Sequence, residues 1–128
     1  VAGRIIRTGF LPPDETSAAL LSCHVMVMPY LDGVSLRRGT LMACLNHGRP
    51  TITTHPATPL TQLQHGQNIY LVPPDSPQAL ATAVKCLRKD PYQRKMIGDG
   101  AKAVSDIFTW DKIAVQTLEF FQRVIVNR

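Results

Sequence analysis

Val25-Met26-Val27-Met28 places four apolar residues in a row with no polar alternation, and this run constrains the fold more than any other feature of the chain. A strand with one wet face alternates polar and apolar residues. An unbroken apolar run is expected to be covered on both faces, the habit of parallel sheets. Leu41-Met42-Ala43-Cys44-Leu45 follows, apolar all round and closed by Gly48, so it reads as a buried helix with a glycine after its C-terminus. Thr51-Ile52-Thr53-Thr54 and Ile69-Tyr70-Leu71-Val72, the latter ended by Pro73-Pro74, read as two more strands. Upstream, Arg4-Ile5-Ile6-Arg7-Thr8 reads as another strand, ended by Gly9 and Pro12-Pro13. A helix is then expected from Asp14 and Glu15 through Ser22.

The rest of the chain reads as helices. Ser76-Pro77 is an N-cap followed by proline at the first helical position, with Ala79, Leu80, Ala83, Val84 and Leu87 on one face. Asp90-Pro91 stops that helix and starts another, whose Ile97, Ala101, Val104 and Phe108 repeat at the helical period. Thr109 caps a last helix with an expected buried stripe of Ile113, Ala114, Thr117, Leu118, Phe121, Val124 and Ile125. This order predicts an α/β fold, a Rossmann-like parallel sheet flanked by helices. Residues 1–128 are read as one partial domain, with a sheet region over 1–75 and a helical region over 76–128.

At 128 residues, 45% hydrophobic and 18% charged, the chain has the balance of a globular domain, not of a disordered or fibrous one. It opens on Val1 without an initiator methionine, so a fragment is expected. Cys23, Cys44 and Cys86 are odd in number and spaced unlike metal ligands. They are expected to be reduced, buried and small. No run is long enough to cross a bilayer and no signal peptide is present, so a soluble, cytoplasmic protein is expected. Charge is distributed unevenly. From Gly33 to Pro74 there is no Asp or Glu, while Arg37, Arg38 and Arg49 are positive, which makes the middle of the chain attractive to anions.

Doubly wound sheets bind ligands at the carboxyl ends of their strands, beside helix N-termini. That rule selects Asp32-Gly33-Val34-Ser35-Leu36-Arg37-Arg38-Gly39-Thr40. Free amides at Gly39, Thr40 and Leu41, the hydroxyls of Ser35 and Thr40, and the forks of Arg37 and Arg38 outline a phosphate or diphosphate site. Gly33 and Gly39 would let backbone approach the ligand. The same residues also admit a plainer arrangement, in which Thr40 caps the helix and both arginines are solvated.

The segment "CHVMVMPYLDGVSLRRGTLMACLNHGRPTITT" and the later "HGQNIYLVPPDSPQALATAVKCLRKDPYQRKMIGDGAKAVSDIFTWDKIA" resemble the donor-binding part of the group 1 glycosyltransferases, which are retaining enzymes of the GT-B kind. Leu71-Val72-Pro73-Pro74, Asp90-Pro91, Arg94 and Thr109-Trp110 carry the more specific half of the match. The resemblance implies the C-terminal of two Rossmann-like domains, binding a nucleotide-diphospho-sugar with no further cofactor or metal. Asp32 matches the first acid of the group's E-x7-E motif and, with Gly33, would meet the sugar. Ser35, Arg37, Arg38, Gly39, Thr40 and Leu41 would lie by the diphosphate. The second glutamate, which holds the ribose, is replaced by Ala43, and the loop is longer than the group's. His55-Pro56-Ala57-Thr58-Pro59 stands where a Gly-Gly pair is usual.

The resemblance also implies a missing N-terminal domain and missing early strands. An exposed sheet edge would then invite self-association. Peripheral membrane contact of the longer protein is a further expectation. A non-catalytic phosphate- or nucleotide-binding module is the alternative function. A nucleic-acid surface is not expected, because the basic loop lacks interleaved aromatics. His24 reads as structural, His47 as a helix-end contact, His55 and His65 as loop residues, and Trp110 as core.

Overall fold

The structure, a computed structural model, describes residues 2–127; Val1, on which the fragment expectation rests, lies outside them. After a 3-10 turn at Ala2–Arg4, the elements are α1 (Pro13–Ser22), β1 (Met26–Met28), α2 (Gly39–Asn46), β2 (Thr51–Thr54), β3 (Tyr70–Val72), α3 (Pro77–Lys89), α4 (Pro91–Ser105) and α5 (Trp110–Val126). The three strands form a parallel sheet in the order β1-β2-β3, with Val27 opposite Ile52 and Thr53 opposite Leu71.

β2 is central and all four of its residues are buried. Three are threonines, and each hydroxyl finds a carbonyl. Thr51 donates to Arg49 O at 3.1 Å, Thr53 to Met28 O at 2.7 Å and Thr54 to Tyr30 O at 2.6 Å. Buried hydroxyls without such partners would each cost about 1–3 kcal/mol.

Alternate residues of a strand point to opposite faces, and the core divides accordingly. On one face Leu41 and Leu45 of α2 meet Val34, Leu63, Ile69, Ala101 and Val104, with Leu71 beside them. Across the sheet, Ile52 and Val72 meet Ala83 and Leu87 of α3 and Ile97 of α4. Fully burying side chains of this size contributes about 1.5–3 kcal/mol each. Helix α4 lies close against α2, and a Cβ on Gly98 would stand 2.5 Å from Gly48 O. The caps are local. Ser76 accepts from Ala79 N, and Asp90 closes α3 while accepting from Gln93 N at the head of α4. Gly48, at φ +61°, ends α2.

Several expectations fail. Arg4–Thr8 is not a strand, and Ile5 and Ile6 are exposed. The sheet offers that segment no neighbour, and strand propensity without a partner makes no ladder. β1 is an edge strand, so Val27 is 38% exposed instead of covered on both faces. Only Leu41, Cys44 and Leu45 of α2 are buried, because its other side faces outward. Cys44 is the one buried cysteine; Cys23 is half-buried and Cys86 exposed. The stripe of α5 is the largest departure. None of its residues is buried, and Trp110 is 84% exposed. Its period specifies an apolar face, but among the described residues only the 3-10 turn Asp106–Phe108 packs closely on it.

Candidate functional site

All three strands are parallel, so their carboxyl ends open on one edge of the sheet, and the loop from Pro29 to Arg38 leaves β1 there to enter α2. The loop is pinned at its start by the hydroxyls of Thr53 and Thr54, which hold the carbonyls of Met28 and Tyr30. It is pinned again at Gly33, whose φ is +82°. A Cβ there would meet His55 O at 2.5 Å and Ala57 N at 2.9 Å. Gly33 therefore lets two loops touch, and it is buried under His55–Ala57. Gly39, by contrast, stands in open space.

Arg38 is the hub. Its guanidinium lies 4.0 Å from the centre of the Tyr30 ring, and Nη2 donates to both carboxylate oxygens of Asp32 at 2.5 and 2.6 Å. The side chain of Arg38 is 30% exposed and that of Asp32 is 76% exposed, so the pair sits at a rim where solvent screens it. Arg38 Nε is shut off from solvent and lacks a partner among the described residues. The Tyr30 hydroxyl bonds Thr40 Oγ1 at 2.9 Å. Thr40 thus does not cap α2; the cap position is Arg38, with no side-chain cap bond.

The first turn of α2 carries no acidic residue, and the amides of Gly39, Thr40 and Leu41 have no hydrogen-bond partner among the described residues. Such amides sit at the positive end of a helix dipole. Ser35 is half-buried, Arg37 exposed and Leu41 fully buried, so Leu41 can offer only its backbone. Asp32, Gly33, Ser35 and Arg38 share a cavity of about 160 Å³ with Ala57 and Thr58. Arg37, Gly39 and Thr40 are not in its lining. Tyr30 also walls a second, largely apolar cavity of about 260 Å³, floored by Thr54 and Val72 and closed by Ser76 and Leu80.

Two groups were not found by sequence reasoning. Tyr30 organises Arg38 and Thr40 together, and Thr58 faces the loop from the next crossover. A threonine-rich strand end was the available signal for the pinning hydroxyls. Ala43 is half-buried, and its carbonyl accepts from His47 Nδ1 at 2.7 Å. A carbonyl can only accept, so Nδ1 carries a proton, and Nε2 is hydrogen-bonded to Ser17 Oγ at 2.7 Å, which ties α1 to α2. Among the described residues, no group of three His, Cys, Asp or Glu is placed to hold a metal. No described helix is long and apolar enough to cross a membrane.

The family profile described as glycosyl transferases group 1 matches residues 1–90. A D-inositol 3-phosphate glycosyltransferase of Streptomyces bingchenggensis is 30% identical, over 88% of this chain and 25% of its own length. An MMP alpha-(1->4)-mannosyltransferase of Mycolicibacterium hassiacum is 28% identical, over 91% and 28%. The chain thus spans about a quarter of the length of these relatives. Among solved structures, the sucrose-phosphate synthase of Thermosynechococcus elongatus superposes with a TM-score of 0.83 at 19% identity, over 98% of this chain and 31% of that one. HepE of Anabaena, solved in complex with UDP, gives 0.74 at 19% identity, over 82% and 29%.

Proposed function

The chain belongs to the group 1 glycosyl transferases, and from that premise we propose that it is the donor-binding part of an enzyme that moves a sugar from a nucleotide-diphospho-sugar to an acceptor. The observation that carries this is the Asp32–Thr40 loop, a cationic turn pinned at Tyr30 and Gly33 and leading into helix amides without partners among the described residues. HepE complexes containing UDP and UDP-glucose, on the same fold, support a donor of this class.

In this reading Ser35, Arg37, Arg38 and the amides of Gly39, Thr40 and Leu41 receive the diphosphate as it departs. Charge builds on the leaving oxygen in the transition state, and donors already fixed in place need not reorganise to meet it. Arg38 is held by Tyr30 and Asp32, which is that kind of preorganisation. Asp32 keeps free lone pairs for a sugar hydroxyl beside Gly33. With a quarter of its relatives' length, the chain supplies the donor half of a cleft and by itself transfers no sugar. Its three free cysteines suit a cytoplasmic protein.

One observation favours a second reading, a nucleotide-binding module without transfer. Ala43 offers no carboxylate for a ribose. Calorimetry with UDP-glucose and GDP-mannose against this chain and its Arg37→Ala, Arg38→Ala double variant tests the site. Loss of binding in the variant is expected, and equal affinity would remove the arginines from it. Donor hydrolysis or transfer by the longer protein separates the two readings.

A further inference from the structure

At the opposite edge of the sheet, where the strands begin, a cavity of about 300 Å³ is lined by His24 ahead of β1, Gly48, Arg49 and Pro50 ahead of β2, and Arg94, Lys95 and Asp99 of α4. It is separated from the Asp32–Thr40 loop by the length of the strands, and nothing in the donor reading uses it.

Its charge is unbalanced. Arg49 makes no ion pair among the described residues, and its Nε is shut off from solvent with no hydrogen-bond acceptor. Arg49 is half-buried, and a buried N–H without an acceptor is unfavourable unless a bound group supplies one. Arg94 is held rigid, with Nη1 donating to the carbonyls of Leu87 and Arg88 at 2.5 and 2.8 Å. Among the described residues, the only carboxylate in the lining, Asp99, is already engaged by Lys95 at 2.5 Å. Arg49, Arg94 and Lys95 against Asp99 leave a surplus of positive charge, and exposed His24 stands at the rim. The floor is backbone that cannot be filled, because Gly48 and Gly98 pack against each other with no room for a Cβ on Gly98.

We propose that this cavity is a second anion site that takes a phosphate group, with Arg49 as its principal ligand and Arg94 and Lys95 as fixed positive walls. Planar guanidinium forks suit phosphate oxygens, and a cavity this open admits a phosphate carried either on a soluble ester or on the headgroup of an anionic phospholipid.

The test follows backbone amides of the isotope-labelled chain by NMR while inorganic phosphate is added. In parallel, the chain is sedimented with phosphatidylcholine vesicles with and without phosphatidic acid. Saturable shifts at His24, Gly48, Arg49 and Lys95–Gly98 are expected, and Arg49→Gln should weaken them roughly tenfold or more while leaving those at Ser35–Leu41 unchanged. Lys95→Gln, which frees Asp99 to face the cavity, should weaken them too, so the proposal stays open to refutation if Arg49→Gln fails to fold. Phosphate binding without pelleting assigns a soluble ester. Pelleting only with phosphatidic acid, lost in the variants, assigns the lipid headgroup. Shifts confined to Ser35–Leu41, unchanged affinity in the folded variants, or neither phosphate nor vesicle binding would overturn the assignment.

Discussion

The guanidinium of Arg38 lies 4.0 Å from the centre of the Tyr30 ring, so an aromatic residue outside the basic loop sets the position of its central cation. A contact of this kind at a partly exposed site contributes about 0.5–1 kcal/mol. Tyr30→Leu should therefore weaken UDP-glucose binding several-fold in calorimetry, with Arg38 then held by Asp32 alone. Tyr30→Phe keeps the ring and removes only the bond to Thr40, so it should weaken binding less. An order in which Phe is as damaging as Leu would place the hydroxyl, not the ring, at the centre of the site.

Two glycines of the same loop should respond in opposite ways to alanine. At Gly33 the new Cβ would overlap His55 O and Ala57 N, and the backbone is left-handed at φ +82°. Both the clash and the strain oppose it, so Gly33→Ala should cost about 2 kcal/mol or more in urea unfolding. Gly39 opens α2 with nothing within 4 Å of a Cβ, and Gly39→Ala should be neutral or stabilise by up to about 1 kcal/mol. Equal losses at the two positions would count against the loop-to-loop contact.

What was legible in the chain was what depends on near neighbours. β2 and β3 are strands because threonine, isoleucine, tyrosine and valine suit a pleated surface, and Ser76 and Asp90 cap helices by accepting from amides three residues further on. The parallel sheet followed from the unalternating run in β1, even though Val27 turned out to face an open edge. What was not legible depends on partners. Arg4–Thr8 has strand chemistry and no strand beside it, and the stripe of α5 specifies a face without specifying what covers it. The candidate loop was found from its charge and glycines. The ring of Tyr30 and the backbone over Gly33 join it only across space, which no local pattern encodes.

Burial of Cys44, with Thr51 only partly offsetting it, pushes its thiol above the ordinary range, while Cys86 lies exposed on α3. A raised folded value means that the unfolded chain gives up this proton first. The contribution is therefore fully present below the unfolded pKa of about 8.5 and is lost as pH rises from there through the folded value. Stability should accordingly fall above about pH 8.5 in the wild type, and Cys44→Ala should show a smaller fall over the same window. A thiol reagent at neutral pH should label Cys86 at once and Cys44 only on unfolding. Labelling of Cys44 in the native state at the rate of Cys86 would contradict its burial.

Helix α5 provides the sharpest contrast between sequence periodicity and packing. Phe121 is 55% exposed although it sits on the apolar stripe, whereas Leu45 of α2 is fully buried in the core beside Leu41 and Ile69. Removing a side chain that water already reaches leaves no cavity, so Phe121→Glu should change unfolding free energy by no more than about 0.5 kcal/mol. Leu45→Ala should cost about 2–5 kcal/mol, because the emptied space cannot collapse fully. The same Phe121→Glu change breaks a row that also includes Leu118, Val124 and Ile125, all exposed, and so should lower self-association in light scattering. Matched urea titrations decide the matter. If Phe121→Glu proves as destabilising as Leu45→Ala, α5 folds back onto the domain in solution and its stripe is covered by this chain itself.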